Sequence, residues 1–119
     1  MLRVFIAGPY NADNVLSVLG NMRRGMEMSV KVLKAGMSPF CPWLDYHFSL
    51  IDDSLTIQDY YNYSIAWVEG SEALLVLEGW ESSVGTKGEI ARAEELGIPV
   101  FYSFRALLKW QKMRSIDHG

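Results

Sequence analysis

A chain of 119 residues is the size of one domain, and with 50% hydrophobic and 21% charged residues it can bury a core without disulfides or a structural metal. The net charge of −3 speaks against a nucleic-acid backbone as partner, and the lone Cys41 fits a buried thiol in a reducing cytoplasm. No apolar run approaches the roughly 18 residues of a membrane span, and the first residues read as a strand rather than a signal peptide.

Residues 2–7 form a short apolar, β-branched run that stops at Gly8-Pro9, the pattern of a fully buried strand. Asn11, Asp13 and Asn14 are candidate N-caps for a long helix whose apolar face is Val15, Val18, Leu19, Met22, Met26, Val30 and Leu33. Lys34 and Gly36 signal its end. Residues 37–41 read as a second strand broken by Pro39. Residues 43–55 are irregular, aromatic and acidic, and 57–69 form a helix ended by Gly70. A third buried strand follows at 73–77, then a loop at 79–84 and a helix at 85–96 closed by Gly97. A fourth strand at 98–102 and a last helix at 104–113 complete one domain, residues 1–113, with 114–119 as a flexible tail.

Strands alternating with helices predict an α/β fold: a three-layer, Rossmann- or flavodoxin-like parallel sheet in a single domain, with right-handed crossovers. Ligands of such sheets bind outside the carboxyl ends of the strands, where the strand order switches. Chemistry is therefore expected in the loops 8–14, 42–55 and 79–88.

Gly8 lets the backbone of the first loop approach a ligand, and the helix that follows favours anions at its start. The same Gly8-Pro9-Tyr10 also reads as a plain strand-to-helix turn with Tyr10 on the surface. Neither G-x-G-x-x-G nor G-x-x-x-x-G-K-[ST] occurs, which speaks against a dinucleotide site and against P-loop ATP hydrolysis. The loop 80–89 places Ser82, Ser83, Thr86 and Lys87 at a helix start, the parts of a cradle for phosphate or hydroxyls. Glu89 is expected in the first helical turn, where peptide dipoles favour the carboxylate that a nucleophile requires. Thr86-x-x-Glu89 is equally a capping box, in which Glu89 only satisfies a backbone donor. Asp45, His47, Asp52 and Asp53 follow no standard ligand spacing, and no metal is expected. His118 lies in the tail and is given no role.

The order of G-P-Y after the first strand, S-P-F-x-P-W, a D-Y-Y helix, A-L-L-V-L-x-G-W-x-S-S-x-G-x-x-x-E-I-A-x-A and G-I-P-V-F-Y resembles the nucleoside 2-deoxyribosyltransferase-like superfamily, over residues 2 to about 110. The resemblance implies N-glycosidic bond cleavage, or deoxyribosyl transfer, on a nucleoside or nucleoside 5′-monophosphate, with Glu89 as nucleophile at the anomeric carbon. Ser83 stands six residues before Glu89. The transferases carry Asp there, and the deoxynucleoside 5′-monophosphate N-hydrolases carry a Ser that helps hold the phosphate. By that match the chain resembles the monophosphate branch. The implied ligand-binding residues are Gly8, Pro9, Tyr10, Ser64, Ser83, Gly85 and Thr86, and no cofactor is implied.

Two positions depart from the family. Ser64 stands where an Asp is usual on the second helix, and the first loop lacks the Arg of the hydrolases. A second reading follows from them: a non-catalytic sensor or sequestering protein for a nucleotide-derived ligand. Asp45, Asp59 and Glu69 are the candidates for a proton donor to the base. Trp43, Tyr46, Phe48 and Trp80 are the candidates for stacking on it. The aromatic content and the resemblance together imply a homodimer or higher homo-oligomer that binds a small molecule, with no nucleic-acid polymer and no membrane as partner.

Overall fold

Side chains alternate across a β-strand, so a strand that is apolar throughout needs cover on both faces. The computed structural model, which describes residues 1–118 and of Tyr46 and residues 116–118 only the backbone, supplies that cover. β1 (Arg3–Ala7) pairs with β2 (Ser38–Phe40) on one side and β3 (Ala73–Val76) on the other, and β4 (Val100–Phe101) lies beyond β3. The order is β2-β1-β3-β4 and every pairing is parallel, with Val4 opposite both Pro39 and Ala73, and Leu74 opposite Val100.

On one face Val4, Ile6, Ala73 and Leu75 meet Met22 and Val32 of α1 (Val15–Lys34) and Leu107 of α4 (Phe104–His118). On the other, Phe5, Ala7, Leu74 and Val76 meet Val68 of α2 (Ile57–Glu69) and Ile90 and Ala93 of α3 (Val84–Glu95). These are the three layers of a Rossmann- or flavodoxin-like α/β domain. α1 begins at the cap the sequence suggests: Asn14 Oδ1 accepts from the Ser17 amide at 2.9 Å. α4 runs on to His118, past the boundary expected at residue 113. Gln111 donates to the Ala35 carbonyl at 2.8 Å, and the Arg114 guanidinium lies 5.2 Å over the ring of Trp110 on the same helix. Among the described residues, no helix is long and apolar enough to cross a membrane.

The apolar stripe read on α1 is only partly the face that meets the sheet. Asn21, Met22, Gly25, Ser29 and Val32 are buried, while Val15, Leu19, Met26, Val30 and Leu33 are exposed. The cause is Trp43, in the 3₁₀ segment Pro42–Leu50 that follows β2. Its indole, 1% exposed, lies flat where Gly25 has no side chain. A Cβ added at Gly25 would stand 2.2 Å from the ring. The helix thus turns its smallest residue to the bulkiest buried one, and the apolar stripe rotates toward solvent. Ser29 is buried without penalty because its hydroxyl donates to the Gly25 carbonyl at 2.8 Å.

Two glycines of the same helix therefore respond oppositely to alanine. Gly20→Ala, with nothing within 4 Å of the added Cβ, should stabilise by about 0.5–1 kcal/mol through the helix backbone alone. Gly25→Ala should destabilise by about 1–3 kcal/mol, because displacing Trp43 outweighs that gain. Urea denaturation of the two variants measures both signs.

Candidate active site

The chain passes from β1 to β2 on one side and then crosses to β3 on the other, so the strand order reverses beside β1. The loops that leave β1 and β3 diverge there, and a cavity of about 480 Å³ opens between them. That volume is in the range of small-molecule sites.

The first wall is the loop after β1. Gly8 allows it to run close to the end of β3, since a Cβ there would meet Leu77 Cβ at 3.0 Å. Two successive carbonyls hold the loop. Trp43 Nε1 donates to the Pro9 oxygen at 3.0 Å, and Asn21 Nδ2 donates to the Tyr10 oxygen at 3.1 Å. The Arg24 guanidinium in turn donates to Asn21 Oδ1.

The second wall is the start of α3. Gly79, at φ 87°, turns the chain out of β3 into a short 3₁₀ turn, Trp80–Ser82. Ser83 then caps α3: its Oγ accepts from the Thr86 amide at 3.2 Å and from the Thr86 hydroxyl at 2.8 Å. Ser83 is thus the cap, and the expected Thr86–Glu89 capping box does not form. Because the helix begins at Val84, Glu89 lies in its second turn and not the first. It lines the cavity and is only 9% exposed.

The remaining walls come from α2, through Ile57, Tyr60, Tyr61 and Ser64, and from Pro42, Trp43 and Asp45 after β2. α2 and α3 approach closely because Gly85 leaves room for the Tyr61 ring, which would stand 3.1 Å from an added Cβ.

Gly8, Pro9, Tyr10, Ser64, Ser83, Gly85, Thr86 and Glu89 all line this one cavity. Of the three acids named as proton donors, Asp45 alone is in it. Asp59 is the acidic half of a capping box with Thr56, accepting its amide at 2.7 Å, and Glu69 pairs with Arg92 at 2.8 Å. Of the aromatics, Trp43 lines the cavity with its indole N–H already used. Trp80 packs on Tyr102 with ring centroids 5.6 Å apart, and Phe48 stands edge-on to Tyr63 at 5.8 Å. The side chain of Tyr46 lies outside the described residues. Tyr60 and Tyr61 were not among the expected site residues. The signal was present: they precede Ser64 by four and three positions, which places all three on one helix face.

Asp52 accepts from the amide and hydroxyl of Ser54 at 2.9 and 2.6 Å, and these bonds hold its carboxyl below the usual range. Among the described residues, no three His, Cys, Asp or Glu side chains group closely enough to hold a metal ion.

The electrostatics reverse one expectation. Burial, and secondarily the charge of Asp45, push the Glu89 carboxyl up to about 8. Burial pushes Asp45 up to about 6. Helix dipoles contribute typically about 0.3–1 kcal/mol in the first turn, too little to offset the loss of water around a carboxyl in the second. At neutral pH the cavity therefore holds a pair of carboxyls with one proton between them, mainly on Glu89.

Folded Glu89 keeps a proton that the unfolded chain releases near 4.5, so stability falls as pH rises from about 4.5 through about 8. The fall should be on the order of a few kcal/mol. Denaturation curves between pH 5.5 and 8.5 should show it in the unmodified chain and a much flatter profile in Glu89→Gln.

No curated protein matches the chain. The family described as Domain of unknown function (DUF4406) matches residues 21–102, which include the walls contributed by α2, by α3 and by the segment after β2. That span is well over half of the 119 residues, and the chain belongs to the DUF4406 family.

Proposed function

We propose that the protein cleaves the N-glycosidic bond of a nucleoside or nucleoside 5′-monophosphate, or transfers its deoxyribosyl group, with Glu89 as nucleophile. The observation that carries this reading is the meeting of two buried carboxyls, Glu89 and Asp45, in one cavity with the first loop and the two tyrosines of α2. Glycosidic cleavage needs one carboxylate to meet the developing positive charge at the anomeric carbon and one proton for the leaving group. In the proposed step the Glu89 carboxylate forms a bond to that carbon as the carbon–nitrogen bond breaks. The base departs with the electron pair and takes a proton from Asp45. Water, or an acceptor base, then resolves the glycosyl ester. The pair must carry a single proton for this step. It does so between about 6 and about 8, with the reactive arrangement the less populated of the two.

Chromatography of free base after incubation with a panel of nucleosides and 5′-monophosphates tests the activity. Glu89→Gln should abolish release while binding survives, and Asp45→Asn should lower it by about 10²–10⁴-fold. The rate should peak between pH 6 and 8 and fall on both sides. Full base release by Glu89→Gln would remove the mechanism.

Ser64, in place of a further carboxyl, favours the alternative of a protein that holds a nucleotide-derived ligand without acting on it. Ligand-induced stabilisation with no free base from any panel member would select that reading.

The assembly we propose is a homodimer or higher homo-oligomer in the cytoplasm. The exposed Val30 and Leu33 of α1 border an apolar groove with Leu44 and Phe48, a surface that an identical partner would cover. Light scattering should give at least twice the chain mass, and Val30→Glu should lower it. A monomer mass for the unmodified chain would count against the assembly.

A further inference from the structure

The cavity around Glu89 has an unusual charge inventory for a nucleotide site. Among the described residues its walls present two carboxyls, hydroxyls, phenols, Asn11 and backbone, and no Lys, Arg or His. Of the arginines outside the lining, Arg3, Arg23 and Arg92 pair with carboxylates, and Arg24 bonds Asn21. A phosphate monoester carries roughly −1.5 to −2 charges at neutral pH. Placed here, it would lie in a partly enclosed site shared with two acidic side chains and with no cation to offset it.

The start of α3 does not supply the missing charge. A helix N-terminus amounts to roughly +0.5 of a charge, less than a single carboxylate. Ser83, the residue that suggested a phosphate site, accepts from the Thr86 amide and hydroxyl and keeps one proton to donate, a single neutral hydrogen bond that brings no positive charge. The space beside Gly85 is taken by the Tyr61 ring. An uncharged sugar meets no such obstacle. Its hydroxyls can donate to Asp45 and accept from Glu89, Ser64 or Tyr60 without bringing a charge into the cavity.

We propose that the cavity selects an uncharged, unphosphorylated nucleoside and discriminates against the corresponding 5′-monophosphate. This rests on the N-glycosidic reading above and narrows it, against the monophosphate branch that Ser83 suggests. Discrimination comes from repulsion and an absent counter-charge, so it is a property of the lining as a whole.

The test is calorimetric titration of the full chain at pH 7.5 with matched pairs, each nucleoside beside its own 5′-monophosphate, with base release followed in parallel. The nucleoside should bind at least about tenfold tighter. Asp45→Asn should narrow that ratio several-fold by strengthening the monophosphate. Should Asp45→Asn fail to fold, Ile57→Lys places a cation at the exposed rim of the same cavity and should narrow the ratio in the same way. Monophosphates that bind as tightly as nucleosides, or a ratio that neither variant moves, overturn the selection while leaving the N-glycosidic reading intact. If neither class binds or releases base, both fall together.

Discussion

A tryptophan pressed onto a glycine organises this molecule. Trp43 arrives from the segment after β2, its ring fills the space over Gly25 of α1, and its N–H holds the Pro9 carbonyl of the loop after β1. Three elements distant in sequence meet in one side chain. Burying an indole removes on the order of 200 Å² from water, roughly 5 kcal/mol, and the hydrogen bond adds about 1 kcal/mol more. Each consequence constrains the next. The seat on Gly25 sets the rotation of α1, and that rotation places Asn21 to hold the Tyr10 carbonyl. With both carbonyls tied, the first loop is fixed against the mouth of the cavity before any ligand arrives.

The same close packing governs the chemistry of the carboxyls. Glu89 sits one turn too deep in α3 to benefit fully from the helix start, and it is packed among neighbours that exclude water. Asp45 lines the same cavity from a different element. Two buried acids lining one cavity cannot both ionise cheaply, so the pair retains a proton at neutral pH.

Much of this was legible in the amino-acid sequence. The buried strands announced themselves as short apolar runs ended by turn residues, and a parallel sheet sends the loops after β1 and β3 to one edge. That rule is enough to bring Gly8, Tyr10, Ser83 and Glu89 together. The rotation of α1 was not legible, because the residues that touch the core include Gly25 and Ser29 while several of its apolar residues face solvent. Hydrophobic periodicity cannot see a contact made by an absent side chain. The ionisation of Glu89 was misread for a related reason. The local pattern suggested Thr86 as cap, whereas Ser83 caps the helix three residues earlier and moves Glu89 inward. Tyr60 and Tyr61 stand in the D-Y-Y helix that carries the resemblance, but only their spacing from Ser64 on one helix face ties them to the site.

β2 lies at the edge of the sheet and is only three residues long, Ser38–Phe40. The Ser38 amide points inward, to the Leu2 carbonyl at 2.8 Å. Amides alternate in direction along a strand, so the outward-facing one within β2 would belong to Pro39, which has none. The open edge thus lacks the donor that a foreign strand would need to begin a ladder. Sheet extension from chain to chain, the usual hazard of an uncovered parallel edge, is blocked at this side by one missing proton. Any neighbour that settles over the adjoining apolar groove must therefore meet this edge of the sheet through side chains rather than through a shared backbone ladder.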